Sequence, residues 1–241
     1  MLQATRGLVF HVSRYSDSSG IVRIFTEQTG LQSFIVRSLF SRNARIKPAL
    51  FGHLTLLDLV VDNKPGRSLQ YIREASLNRP FHEITDDMVR SSILLFINEV
   101  LYKSVREEEA NQSLFDFIEN SLQYLNDPVI PVNSFHLLFL VRLSEHLGFG
   151  TTHSLAGEGD HFDLLAGLPD VNDPGHSYVI MGESLKLLKE ISLMDYPALV
   201  SLSAPRIVRL ELLNSLLDFF RIHLPEMAEL KSVKVLHEIM S

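Results

Sequence analysis

"TRGLVFHVSRYSDSSGIVRIFTEQTGLQSFIVR", residues 5–37, decides the fold. "TRGLVFHV" (5–12), "GIVRIFT" (20–26) and "LQSFIVR" (31–37) are rich in β-branched and aromatic residues, which suits strands. The polar "SRYSDSS" separates the first two. Glu27-Gln28-Thr29-Gly30 makes a tight turn into the third, with Gly30 supplying positive φ. Further on, "HLTLLDLVV" (53–61) and "SLQYIREA" (68–75) read as two more strands around a turn at Asp62–Gly66. The longest gap lies between the third and fourth strands, and within it "RNARIKPAL" has room for a turn or two of helix. Five short strands with a helical insertion after the third predict an OB-fold, a small barrel that binds single-stranded nucleic acid.

From Asp86 the hydrophobic period becomes helical. "DDMVRSSILLFINEVLYKSV" starts on Asp86 and Asp87 as cap and first-turn acids. "QSLFDFIENSLQYL" and "VNSFHLLFLVRLSEHLGF" follow, broken by Asn126-Asp127-Pro128 and ended by Gly148. Residues 148–178 hold six of the twelve glycines, with several Asp and His, and read as an irregular insertion. Helices resume at "GESLKLLKEI", "APRIVRLELLNSLLDFFRIHL" and "MAELKSVKVLHEIM". The expected class is α+β and multidomain: an OB-fold barrel over 1–79 and an all-α helical domain over 80–241.

The 241-residue chain carries a formal net charge of −7 and contains no cysteine, which excludes disulfides and thiolate metal sites and suits a reducing cytoplasm. Its start has no apolar signal core, and its best apolar run, "FHLLFLV", stops at Arg142, short of a membrane span. A soluble intracellular protein is expected. The overall charge conceals an asymmetry. Residues 1–80 hold eleven Lys/Arg against five Asp/Glu, a net of +6, which leaves −13 for the rest. Opposite signs suggest two domains, one of which takes a polyanion, or two halves that neutralise each other across an interface.

The basic excess concentrates in "RSLFSRNARIKPALFGH" (37–53): no acid occurs between Glu27 and Asp58. Arg37, Arg42, Arg45 and Lys47 are the candidate phosphate ligands, and each contact on a single strand should cost roughly 0.7 log units of affinity per log unit of salt. Strand alternation puts Ile21, Arg23 and Phe25 on one face. Arg23 suits a backbone contact there, while Phe25 reads either as a stacking ring or as barrel core. Arg14 and Tyr15, in the first loop, are the remaining DNA-binding candidates.

Catalytic signatures are missing. The chain has no glycine-rich phosphate loop and no G-x-S-x-G elbow. His82-Glu83-Ile84-Thr85-Asp86 resembles H-E-x-x-H but ends in Asp, so Glu83 and Asp86 read as helix-start residues. His153, Asp160, His161, Asp163 and His176 match no standard metal-ligand spacing. No catalytic residue, metal or cofactor is expected.

These residues together resemble the RecO family of bacterial DNA repair and recombination mediators. The marks are "TRGLVFHVSRYSDSSGIVRIFTEQTG", "RIKPALFGHLTLLDLVV", "LSEHLGFG", "HFDLLAG" and "FRIHLPEMAELKSVKVLHEI", in that order. The resemblance implies a non-enzymatic protein of the bacterial cytoplasm, associated with the nucleoid. Such a protein binds single- and double-stranded DNA and anneals complementary strands. With RecR it helps load RecA onto DNA coated by single-stranded-DNA-binding protein (SSB), whose acidic-hydrophobic C-terminal tail docks on the helical domain. Local cations for that tail are scarce, and Arg142, Lys103 and Arg106 are the candidates.

Two departures stand out. Many members carry a four-cysteine zinc finger where this chain has the cysteine-free 148–178, so no zinc is expected. The family's common Leu-Gln-Pro is here Leu50-Phe51-Gly52, which predicts a different backbone entry into the fourth strand. Two other functions remain open from the residues alone. One is a protein-interaction adaptor whose basic barrel meets an acidic partner. The other is a metal-dependent hydrolase built on the His/Asp cluster.

Overall fold

The computed structural model describes residues 2–64, 66–106, 108–150, 159–173, 175–227 and 229–239. Five strands, β1 (Leu2–Arg14), β2 (Gly20–Thr26), β3 (Gly30–Val36), β4 (Leu56–Asp62) and β5 (Gln70–Leu77), close a barrel in the order β1-β2-β3-β5-β4. This is the OB-fold connectivity expected from residues 5–75. Neighbours run antiparallel except β3 and β5, whose short parallel pairing sets Phe34 opposite Gln70 and Ile35 opposite Tyr71.

The long β1 serves both ends of the closure. Its second half pairs with β2 and its first half with β4, so Leu8 faces both Phe25 and Leu56. A β-bulge between Val9 and His11 bends it from one partner to the other. Gly7 sits where the strands close in: a Cβ there would lie 2.5 Å from Ile24 Cγ2 and 2.9 Å from Leu59 Cδ1. Gly30, at φ +67, takes the left-handed conformation that its turn requires.

Alternation along the strands fills the barrel. Val9, Val22, Ile24, Phe34, Leu57, Leu59 and Ile72 point inward and form one core. The β3–β4 connection contributes Leu39 and Phe51 to it. The helical insertion expected there is a single 3-10 turn, Pro48–Phe51. Gly52 follows at φ −67, a value proline would accept. Proline would, however, disfavour the helical conformation of Phe51 before it, so glycine suits this entry to β4.

Contacts divide the chain into two compact units: Met1–Asp86 with Asn98–Leu122, and Asp87–Ile97 with Gln123–Ser241. In the first unit, α1 (His82–Asp86) follows the barrel, and the latter part of α2 (Met88–Ser104) and most of α3 (Gln112–Leu125) cover part of its outside. Phe115 of α3 lies 6.1 Å from Phe25, which stacks on Phe10 at 5.8 Å; all three rings are fully buried. Arg6 locks this cover in place. Its guanidinium pairs with Glu27 at 2.7 Å and Glu119 of α3 at 2.6 Å, and lies 5.1 Å over the Phe115 ring. Gln112 donates a further hydrogen bond to Glu27 at 3.1 Å.

The Arg6 bond, reinforced by Gln112 against the opposing effect of burial, holds the Glu27 carboxyl below its ordinary value of 4.5. A depressed carboxyl stabilises the fold above its unfolded pKa, and that contribution fades as pH falls through the lowered folded value. Glu27→Gln is therefore expected to destabilise by about 1–3 kcal/mol at pH 7. The gap from wild type should narrow steadily below pH 4.5 in urea titrations across pH. A gap independent of pH would show that the carboxylate charge does not matter.

In the second unit, α4 (Phe135–His146) is buried nearly all round and packs against α5 (Gly182–Ser192) and α6 (Arg206–His223); α7 (Ser232–Ile239) follows. Asp87 caps α2, its Oδ1 accepting from the Val89 and Arg90 amides at 2.7 and 2.9 Å. The buried Arg90 donates to the Leu125 and Ile130 carbonyls, satisfying groups at the end of α3. The insertion at 148–178 is not wholly irregular. Its β6 (His161–Asp163) and β7 (Leu168–Asp170) join β8 (Val179–Met181), just after it, in a small antiparallel sheet of order β7-β6-β8. Three-residue strands around glycine turns leave too short a pattern to read from sequence.

Candidate nucleic-acid interface

Among the described residues, the outer face of β2, β3 and β5 is covered by α2 and α3 at one end. Alternation sends Ile21, Arg23 and Phe25 outward from β2, and Leu31, Ser33 and Ile35 from β3. Phe25 and Leu31 are Cα partners and both buried. The stacking role open to Phe25 is thereby closed; the ring is core. In the next row the Arg23 guanidinium lies 5.3 Å over the Tyr102 ring of α2. Beyond it the cover stops, and Ile21, Ile35 and Tyr71 form a half-buried row across β2, β3 and β5.

Cations surround this open end. A hollow of about 330 Å³ has Ile35 and Tyr71 in its wall, with Arg37, Arg45, Lys64 and Arg73 around them. Arg37 lies 5.3 Å over the Tyr71 ring. The acid among its described lining residues is Asp62, which accepts from Arg73 at 2.7 Å and is held below the usual carboxylate range mainly by that bond. A second hollow, about 630 Å³, is lined by Arg23, Lys64, Arg67 and Arg106, with Glu108 as the acid among its described residues. Lys64 belongs to both, so the hollows form one basic band. His11, 4.8 Å from the Tyr102 ring, is held below the usual imidazole range by burial and then by His53 and Arg23, so it adds no charge at pH 7.

Two local devices hold the band. The β4–β5 turn is fixed by Gln70, buried at 3% exposure, whose side chain bonds the Lys64 amide at 2.9 Å and the Lys64 and Arg67 carbonyls at 3.0 and 2.9 Å. The β3–β4 connection is anchored by buried Leu39 and Ala44 and by turns in which the Ser38 carbonyl accepts from Ser41 and the Ser41 carbonyl from Ala44. Arg37, Arg42, Arg45 and Lys47 all remain exposed around these anchors. Preorganised cations on short, pinned turns suit an extended polyanion that crosses the sheet face.

The residues picked out by sequence therefore fall into groups. Arg37 and Arg45 meet at the smaller hollow and Arg23 lines the larger. Arg42 and Lys47 line neither. Arg14 lies 5.1 Å over the Phe40 ring, and Tyr15, 58% exposed, stands in the β1–β2 loop. Arg106, named with the SSB-tail candidates, lines the larger basic hollow. Lys103 pairs with Glu99 at 3.6 Å, and Arg142 pairs with Glu145 at 3.2 Å and donates to the Met194 carbonyl at 2.7 Å. Lys64, Arg67, Tyr71 and Arg73 lie at the hollows but outside the sequence candidates. The signal was there, because the turn at Asp62–Gly66 is the β4–β5 loop that OB-folds use to bind ligands.

Among the described residues, no group of three His, Asp or Glu gathers as a metal site, and no helix is long and apolar enough to cross a membrane. His176 approaches Asp163 at 3.5 Å, and the buried His161 finds no partner for Nε2 among the described residues. His153 lies outside the described residues.

Comparison with known proteins agrees with the fold. Residues 1–81 match the family model for the N-terminal part of recombination protein O, and residues 85–233 match that for its C-terminal part. The chain is 37% identical over 240 residues to the DNA repair protein RecO of Bacteroides fragilis, covering 99% of each. It is 34% identical to that of Phocaeicola vulgatus over the full length of both, and 30% identical to that of Porphyromonas gingivalis over 98% of each.

Proposed function

The chain belongs to the RecO family, and from that premise we propose that it binds DNA through the open, basic end of its barrel face. On this reading the barrel of residues 1–79 is the DNA-binding domain, and 80–241 is the domain that meets partner proteins. The observation that carries the proposal is the clustering of Arg23, Arg37, Arg45, Lys64, Arg67 and Arg73 around the uncovered half of an OB-fold sheet, in a chain whose net charge is −7. Arg106 joins this group. Arg42, Lys47, Arg14 and Tyr15 extend it along the neighbouring loops.

The activity is non-catalytic. Neutralising phosphates on two strands and holding them close is enough to promote annealing. With RecR, the protein helps RecA load onto single strands coated by SSB, in the bacterial cytoplasm at the nucleoid. The SSB tail docks on the helical part, where Arg142 would exchange its present acid, Glu145, for one of the tail's carboxylates; Lys103, paired with Glu99 in the other unit, is a separate candidate.

The test is fluorescence anisotropy of a labelled oligo(dT) titrated with the full chain at several salt concentrations. Four phosphate contacts on a single strand predict about a fiftyfold fall in affinity between 50 and 200 mM salt. Binding that ignores salt, or no binding at 50 mM, would sink the proposal and leave a barrel whose cations serve another protein.

A further inference from the structure

We propose that Tyr71 is a nucleobase-stacking residue, and that the hollow around it makes an unpaired strand, not a duplex, the preferred ligand of the barrel. This rests on the DNA-binding reading above and specifies where on the sheet a base would sit.

The row Ile21, Ile35 and Tyr71 runs straight across three strands, each residue the Cα partner of the next. Their chain neighbours Val22, Phe34 and Ile72 point into the barrel core, so the row is the outward-facing half of the pattern. It is apolar yet only half buried, at the end of the face beyond the cover of α2 and α3. An apolar platform left open on an otherwise charged surface calls for an occupant.

Charge identifies that occupant. Arg37, Arg45, Lys64 and Arg73 surround the platform, and the acid among its described lining residues, Asp62, is engaged by Arg73. The ligand must therefore present a flat apolar surface a few ångströms from negative charge, as a nucleotide does. A lipid or an apolar peptide lacks that combination. An acidic peptide supplies the charge but seldom a planar ring beside every acid. Size argues further. About 330 Å³ lies at the small end of ligand sites, which span about 300–1,000 Å³. That is room for one base with its sugar and phosphate. A paired base is stacked within its duplex and cannot turn its face onto a ring set in such a hollow, whereas a single strand can.

Tyr71 is placed for this work. It leaves β5 at the parallel seam with β3, one residue after the buried Gln70 that pins the β4–β5 turn. The Arg37 guanidinium is already over its ring, so the pair offers a π-face and a phosphate donor within one nucleotide's reach.

The test compares the full chain with Tyr71→Leu and Tyr71→Phe. Three probes are titrated at one salt concentration: oligo(dT), an abasic deoxyribose-phosphate oligomer of the same length, and a blunt duplex. Thermal unfolding of all three proteins serves as the folding control. Tyr71→Leu should weaken oligo(dT) binding by about five- to a hundredfold. The abasic oligomer and the duplex should stay within about twofold, because the phosphate contacts survive. Tyr71→Phe, which keeps the ring, should bind oligo(dT) like wild type. Equal losses on oligo(dT) and the abasic oligomer would overturn the assignment, since Tyr71 would then merely position Arg37. An unchanged oligo(dT) affinity in Tyr71→Leu would also overturn it, with DNA binding itself intact. Failure of wild type to bind any probe would instead bring down the DNA-binding reading and this assignment with it.

Discussion

Replacing Arg37, Arg45 and Lys64 together by glutamine is expected to weaken oligo(dT) binding about a hundredfold at 0.1 M salt. The magnitude follows from counterion release. One phosphate contact on a single strand contributes roughly 0.7 to the salt exponent, which is about fivefold in affinity at 0.1 M. Three contacts multiply to the stated loss. The same arithmetic predicts a loss of less than about tenfold at 0.4 M, because the released counterions gain less entropy there. The salt slope itself should fall by about 2. All three side chains are exposed, and none makes an ion pair among the described residues. Arg37 gives up its place over Tyr71, worth about 0.5–1 kcal/mol at an exposed site. Thermal unfolding should therefore stay within a few degrees of wild type. The informative comparison is Arg42 with Lys47, equally exposed in the same connection but outside both hollows. If that pair costs more than the trio, the strand follows the 37–47 loop and not the sheet face. If the trio unfolds the protein, these cations are structural and the interface has been misread.

The barrel was legible because its information is local. Alternation and a Gly30 turn specify three strands within 33 residues, and two further runs complete a pattern that few folds share. The interface was legible only in part. The acid-free gap from Glu27 to Asp58 draws the eye to Arg37, Arg42, Arg45 and Lys47, which are adjacent in sequence. Lys64, Arg67 and Arg73 lie among Asp58, Asp62 and Glu74, so no charge run marks them. Only the β3–β5 closure brings Arg37 beside Tyr71 and Lys64. Arg106 shows the same limit. It follows α2 and reads as a cation of the helical part, yet it lines a hollow with Arg23 and Arg67. Long-range pairing, and not composition, decides which charges share a surface.

Phe25 and Tyr71 carry this contrast to its sharpest test, since both project from the outer face of one sheet. Phe25→Ala is expected to cost about 3–5 kcal/mol of stability, the range for deleting a fully buried phenyl ring. Phe25 has no exposure, stacks on Phe10 at 5.8 Å and meets Phe115 at 6.1 Å, so its removal leaves a cavity walled by two large rings. Phe115→Ala opens the same cavity from the helical side. The double variant should then lose less than the two single losses combined, with a coupling of about 0.5–3 kcal/mol. Urea titration monitored by circular dichroism measures all three. At temperatures where Phe25→Ala remains folded, oligo(dT) should bind within about threefold of wild type, because the basic band lies at the uncovered end of the face. Tyr71→Leu should show the reverse pattern, nearly full stability with weakened binding. A Phe25→Ala protein that stays stable but loses oligo(dT) would mean that α3 lifts from the barrel when DNA arrives. Phe25 would then join the stacking surface, and the covered half of the sheet would belong to the interface as well.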